Sequence, residues 1–225
     1  MPSPAPTPRP MRADTLADAR REFVALPSGR LLAVQTAAFA ALRVGLGRFD
    51  RRDAALVGAV AAWWPLQEWL AHKHILHAEP REVAGRTIDP VVAQLHRAHH
   101  QDPWRNFGLP MGFLAAAVPV HIGAWLLLTR DRRRALTGMA AYSGATLLYE
   151  WTHFLTHTAY RPKRSWFRRL QRRHRLHHFK DEHQWYGFTV PYVDDAFGTA
   201  PDPSTIPTSP TVRTLGIVDP QAASA

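Results

Sequence analysis

Residues 109–128, LPMGFLAAAVPVHIGAWLLL, run for twenty positions without Asp, Glu, Lys or Arg. A helix needs about 20 apolar residues to cross a hydrocarbon core roughly 30 Å thick. The chain must therefore bury this run whole or pass it through lipid. Three shorter uncharged runs, 31–42, 54–67 and 135–149, accompany it. For 31–42 a buried helix of a soluble bundle explains the pattern as well as a span does. The runs 54–67 and 135–149 differ, because each leads straight into histidines. A helix from Ala54 to His77 would be roughly 36 Å long at ~1.5 Å per residue, and one from Ala135 to His157 is comparable. Both would cross a bilayer and lift their histidine ends out on one side. Trp63, Trp64, Trp69, Tyr149 and Trp151 then fall near an interface, where amphipathic rings are favoured. The expected fold class is all-α: a polytopic membrane helical bundle of about four transmembrane helices, with a cytoplasmic histidine-rich metal-binding cap. The mean hydropathy of −0.26 hides this pattern, because the charge is gathered into loops.

The ends read differently. Residues 1–13, beginning MPSPAPTPRP, and residues 201–225 alternate proline with small residues and are expected to be disordered tails around a domain at 14–200. No basic segment and apolar run follow Met1, so a signal peptide is not expected.

Lys and Arg outnumber Asp and Glu by 28 to 18, an excess that favours anionic partners or surfaces. With four spans, both termini and the histidine segments share one face, which collects 20 Lys or Arg against 7 on the other, Arg43 lying within a span. The positive-inside rule places that face in the cytoplasm. The turn RDRRR at 130–134 runs against the rule.

The chain has no cysteine and 13 histidines. Disulfides, thiolate zinc sites and iron–sulfur clusters are thereby excluded. The histidines gather in HKHILH (72–77), HRAHH (96–100), HFLTH (153–157) and HRLHH (174–178). On a helix, residues three and four apart share a face, so each HxxHH is expected to aim three imidazoles at one point. Such donors suit iron, zinc, copper or nickel, and ten exceed what one ion accepts, so two ions are expected. In the first cluster helical geometry alone pairs His74 with His77, since His72 and His77 lie about 140° apart on an ideal helix. A nucleic-acid binder would explain the charge but gives the paired HxxHH motifs no role, and no nucleic-acid partner is expected.

The order H-x4-H, HxxHH, HxxxH, HxxHH, with an apolar hairpin between the second and third, resembles the fatty acid hydroxylase/sterol desaturase superfamily of membrane di-iron oxygenases. HRAHHQDPWRNFGLP and HRLHHFKDEHQWYGFTVPYVDDAFGT extend the resemblance beyond the histidines, over about residues 50–200. The resemblance implies metal ligands at His72, His77, His96, His99, His100, His153, His157, His174, His177 and His178. It favours His72 over His74, attributed to fraying of the helix end. His74 and His183 are left as outer neighbours, and His121 as a core packing residue. Carboxylates are expected to accept the outer imidazole N–H. Glu68 and Glu150 lead at helical spacing, with Asp102, Asp181, Asp194 and Asp195 behind them.

The resemblance implies an O2-dependent lipid hydroxylase with two iron ions, zinc being able to replace iron on purification. A fatty-acyl or related lipid is the expected substrate. The alternatives are sterol desaturation or oxidation, carotenoid hydroxylation, and a non-enzymatic histidine-rich metal-binding or transport protein. No GxGxxG fingerprint is present. Electrons are therefore expected from an external ferredoxin or b-type cytochrome with its reductase. Residues 161–180, with nine Lys or Arg and no acid, are the expected docking face, or else a collar for anionic lipid.

Overall fold

The computed structural model describes residues 13–104 and 110–217. The expected N-terminal tail, apart from Ala13, the segment 105–109 after the second histidine motif, and residues 218–225 lie outside these. The chain forms two interleaved compact units. One comprises residues up to 19, 69–107 and 155 onward; the other comprises 20–68 and 108–154.

The second unit is helical. It contains most of α1 (Leu16–Ala25), α2 (Pro27–Gly45), α3 (Arg51–Ala71) up to Glu68, α5 (Met111–Thr129) and most of α6 (Arg132–Thr156). Pro27 opens α2 from an extended Leu26, the position where a fixed φ and a missing N–H do least harm. Phe39, Ala135 and Met139 form a small core with Ile122, Trp125, Leu136 and Ala140 packed on it. A Cβ on Gly138 would lie 2.2 Å from the Trp125 ring, so only glycine lets that indole approach α6. Arg43, expected inside a span, is buried and neutralised. It pairs with Asp53 at 2.8 Å and donates to the Thr137 hydroxyl at 2.7 Å, as a charge removed from water requires. Arg134 of the RDRRR turn reaches Asp50 and Asp131 at 3.7 and 3.6 Å.

Of the four expected spans, 109–128 coincides with α5, 19 residues with a mean hydropathy of 1.9. Among the described residues it is the one helix long and apolar enough to cross a membrane by itself. Residues 31–42 lie in α2, which meets that test only jointly with α1, across a 93° bend. Residues 54–67 and 135–149 lie in α3 and α6, which have 21 and 25 residues. These two have the length, but their polar and aromatic residues dilute the apolar character.

The first unit holds eleven of the thirteen histidines, His121 and His153 falling in the second. Residues His72–Leu76 continue α3 as a π-helical turn. A hairpin of β1 (Arg81–Val83) and β2 (Arg86–Ile88) follows, pairing Arg81 with Ile88 and Val83 with Arg86. It is a departure from all-α, made by a two-residue turn at Ala84 and Gly85, both at positive φ. Then come α4 (Val91–Gln101), the end of α6, α7 (Ser165–Phe179) and the short α8 (Tyr192–Ala196). On α7, Phe167, Leu170, Gln171, His174, His177 and His178 face inward while Arg168, Arg169 and Arg172 are exposed. The spacing is that of an amphipathic helix whose buried stripe is largely imidazole.

Residues 201–217, expected as part of a C-terminal tail, make specific contacts with the first unit's helices and loops. Ser209 N–H donates to Lys180 O at 2.8 Å, the Thr211 hydroxyl donates to Glu182, and Val212 is buried. Proline and small residues prevent regular structure here, but specific hydrogen bonds fix the segment.

Candidate metal centre

The ten histidines implied as ligands fall into two groups of five: His72, His77, His96, His100 and His177; and His99, His153, His157, His174 and His178. Within each group the ring nitrogens lie within 4.8 Å of one another. His153 enters the second group through its own helix, one turn before His157. The two groups adjoin, with the His100 and His178 rings 4.2 Å apart.

Each HxxHH triplet is divided, contrary to the expectation of one focus per motif. α4 sends His96 and His100 to the first group and His99 to the second; α7 sends His174 and His178 to the second and His177 to the first. Residues i and i+4 share a side of the helix, whereas i+3 and i+4 straddle residue i, about 100° apart. The motif therefore contributes to both groups at once.

The H-x4-H spacing has its own cause. The His77 N–H bonds His72 O at 3.2 Å, closing a π turn. The wider turn carries residue i+5 back over residue i and sets the two rings 5.1 Å apart. Fraying is not needed. His74 turns instead toward the Trp69 ring. Arg97, inside HRAHH, donates to Ala78 O at 3.2 Å and pairs with Asp89, tying α4 to the end of the π turn.

Orientation of the first group comes from backbone carbonyls. His72 Nδ1 donates to Tyr186 O at 2.7 Å, His177 Nδ1 to Gln184 O at 2.7 Å and His100 Nδ1 to Val212 O at 3.0 Å. A carbonyl can only accept, so each of these Nδ1 atoms carries the proton and each Nε2 presents a lone pair. The His100 and His177 Nε2 atoms then face each other at 3.2 Å. Two lone pairs at that distance repel, and an electron-pair acceptor between them turns the repulsion into binding. His72 and His77 Nε2 each lie 3.1 Å from His96 Nε2. In the second group His99–His157 and His174–His178 stand at 3.2 and 3.1 Å, with His157–His174 closer at 2.6 Å. Imidazoles bound side by side on one ion at about 2.0–2.1 Å have nitrogens roughly 3.0–3.4 Å apart. The residues present fit a metal ion in each group.

Burial keeps the imidazoles neutral. It holds His72 at about 4 against an ordinary 6.5. Burial first, and then neighbouring histidines, push His77, His96, His100, His177 and His178 down as well. Phe188, fully buried, packs its ring 5.6 Å from His72 and 4.9 Å from His174, touching both groups. Trp104 lies 5.5 Å from His157. Arg175 donates to the carbonyls of Thr156 and Thr158, closing the chain around His157.

Four of the six carboxylates expected next to the histidines have other partners. Fully buried Asp194 accepts from Tyr186 N–H and Gly187 N–H, both at 2.9 Å, and from the Thr199 hydroxyl at 2.7 Å. It thereby fixes the loop whose Tyr186 carbonyl holds His72. Asp195 pairs with Arg173 at 2.6 Å, Asp181 accepts from His183 N–H, and Asp102 accepts from Trp104 N–H. Glu68 is buried in α3, one turn before His72, and Glu150 is half-buried in α6. His121 packs against Phe39 and Tyr142 in the second unit, and His183 is exposed. The residues that sequence reasoning missed are Gln184, Tyr186, Val212 and the buried Glu182. The first three act through carbonyls, which every residue owns, so only Glu182 left a signal, as an acid shortly after the last histidine motif.

The fatty acid hydroxylase family model matches residues 57–199. A dihydroceramide fatty acyl 2-hydroxylase of Arabidopsis thaliana is 28% identical over 64% of this chain and 62% of its own length. A ceramide very long chain fatty acid hydroxylase of Schizosaccharomyces pombe is 29% identical over 60% of this chain and 39% of its own. A human fatty acid 2-hydroxylase is 26% identical over 60% and 37%. The chain thus spans less than two thirds of these relatives. The solved hydroxylase domain of scs7p superposes with a TM-score of 0.58 at 18% identity, over 87% of this chain and 70% of that one; this likeness concerns the fold. With its four histidine motifs inside a match of this extent, the chain belongs to the fatty acid hydroxylase family.

Proposed function

We propose that this protein is an O2-dependent, membrane-embedded di-iron hydroxylase acting on the acyl chain of a lipid. The facing Nε2 atoms of His100 and His177, both committed to presenting lone pairs, carry the reading, because they call for a metal. All ten grouped histidines are its proposed ligands. Two iron ions would supply O2 activation: one oxygen atom enters a C–H bond, the other leaves as water, and an external donor provides two electrons. Iron is preferred to zinc because the relatives are named hydroxylases and zinc has no redox chemistry. Those names also favour an acyl chain over a sterol or carotenoid.

The chain's own residues contribute orientation and dryness. The carbonyls of Tyr186, Gln184 and Val212 set three rings, and Phe188 and Trp104 exclude water from the imidazoles. Neutral, buried histidines keep their lone pairs available across the physiological pH range.

Large apolar side chains of the second unit support the membrane: Val120, Leu127 and Leu128 on α5 are 71–78% exposed, far beyond what a water-facing helix tolerates as a patch. With four crossings, the charge distribution favours placing the histidine segments in the cytoplasm. The exposed arginines of α7 serve as the docking face for the donor, a ferredoxin or b-type cytochrome.

The test is metal analysis of detergent-purified protein joined to turnover. The wild type should hold about two iron per chain and place one labelled oxygen atom from 18O2 on a ceramide or fatty-acyl acceptor. His99→Ala and His177→Ala strike different groups; each should abolish turnover and remove about one ion, whereas His121→Ala and His183→Ala should do neither. Full activity in either cluster variant would sink the assignment.

A further inference from the structure

Residues 209–213 lie beyond the segment matched by the family model, yet they touch the histidine groups' immediate surroundings. Five contacts pin them. Ser209 N–H donates to Lys180 O just after α7, and the Thr211 hydroxyl donates to the Glu182 carboxylate. Arg213 donates to Gln101 O at the end of α4 and lies over the Phe179 ring at 5.6 Å. Val212, 7% exposed, offers its carbonyl to His100 Nδ1 at 3.0 Å.

Glu182 is 0% exposed. A wholly buried carboxylate is rare and costly unless it is engaged, and this one accepts from the Thr211 hydroxyl. The arrangement is selective. The His72 and His177 carbonyls come from one loop, 184–186, whereas that of His100 comes from the strap alone.

We infer that residues 209–213 form a positioning strap for the first metal group, anchored by Glu182 and acting through the Val212 carbonyl on His100. This rests on the metal reading above. The strap fixes the His100 proton on Nδ1 and the ring's direction. Removing such an outer partner typically weakens metal binding by about 10–100-fold. The strap reaches the first group through His100, so the first ion should respond and the second should be spared.

The experiment titrates cobalt(II) alone into metal-free, detergent-purified full chain and into three variants, following the visible absorption of the bound ion. The wild type should show two sites. A chain ending at Pro210 should bind one ion 10–100-fold more weakly and the other unchanged, the unchanged site reporting that the fold persists. Thr211→Val, a milder break of the anchor, should weaken the same site in the same direction. Glu182→Gln keeps an oxygen to accept from Thr211 and should stay within about threefold of wild type. Wild-type affinity at both sites in the truncated chain and in Thr211→Val would overturn the strap alone. Equal weakening of both sites in Thr211→Val would also overturn it, by removing the selectivity. A wild-type chain that takes up no ion would overturn the metal reading and the strap together.

Discussion

Asp194→Ala should damage both stability and metal binding, although Asp194 is not among the grouped histidines or in contact with any described ion. Its carboxylate accepts three hydrogen bonds, from Tyr186 N–H, Gly187 N–H and the Thr199 hydroxyl, at 2.7–2.9 Å in a fully buried position. Hydrogen bonds to a charged group contribute about 1.5–3 kcal/mol each, and the donors left behind in a dry site remain unsatisfied. Three such bonds give a loss of about 4 kcal/mol or more. For a chain of this size each kcal/mol moves the melting temperature by about 2–4 °C, so a fall of roughly 10 °C is expected in detergent. The Tyr186 carbonyl belongs to the same loop and accepts His72 Nδ1–H at 2.7 Å. Loss of the clamp should therefore also weaken the ion of the first group about tenfold or more. Asp194→Asn keeps one acceptor oxygen but turns an amide N–H toward donors, and should fall between. Thermal melts followed by fluorescence, with metal titration on the same samples, measure both effects. A melting temperature within about 2 °C of wild type, with unchanged metal affinity, would refute the clamp.

Three further outcomes are expected. In intact cells a cysteine at Ala5 should resist an impermeant thiol reagent and one at Thr129 should react; the native chain has no cysteine, and the reverse pattern would invert the proposed topology. Activity with a reconstituted donor should fall as salt rises from low to physiological, and Arg168→Glu with Arg169→Glu should raise the donor concentration required while bound iron stays constant; unchanged donor dependence and a flat salt response would leave the strip a lipid collar. Acid should destabilise the metal-free protein: His72 is held at about 4 while the unfolded chain titrates near 6.5, so the folded state refuses a proton that the unfolded state accepts. Stability should be full above about pH 6.5 and decline toward pH 4 by about 1.4 kcal/mol per pH unit for His72 alone, as a series of melts would show; a pH-independent melt across that window would contradict it.

The sequence by itself determined which side chains could meet. Histidines three and four apart must emerge near one face of a helix, and the absence of cysteine left imidazole as the principal soft donor. α5 was legible for the same reason, since a 20-residue uncharged run has few alternatives. Tertiary structure decided how the donors are shared and held. Whether HxxHH feeds one ion or two depends on what stands on either side of α4 and α7. The π turn at His72–Leu76 brings His72 and His77 together through one backbone hydrogen bond that no residue type announces. The acceptors for His72, His177 and His100 are carbonyls of Tyr186, Gln184 and Val212. A carbonyl is common to every residue, so its role is set by where the fold carries it. Residues 209–213 show the limit most directly. Their composition is that of a tail, yet Lys180, Glu182, Gln101 and His100 each offer them a hydrogen-bonding partner, a fact of position that composition does not encode.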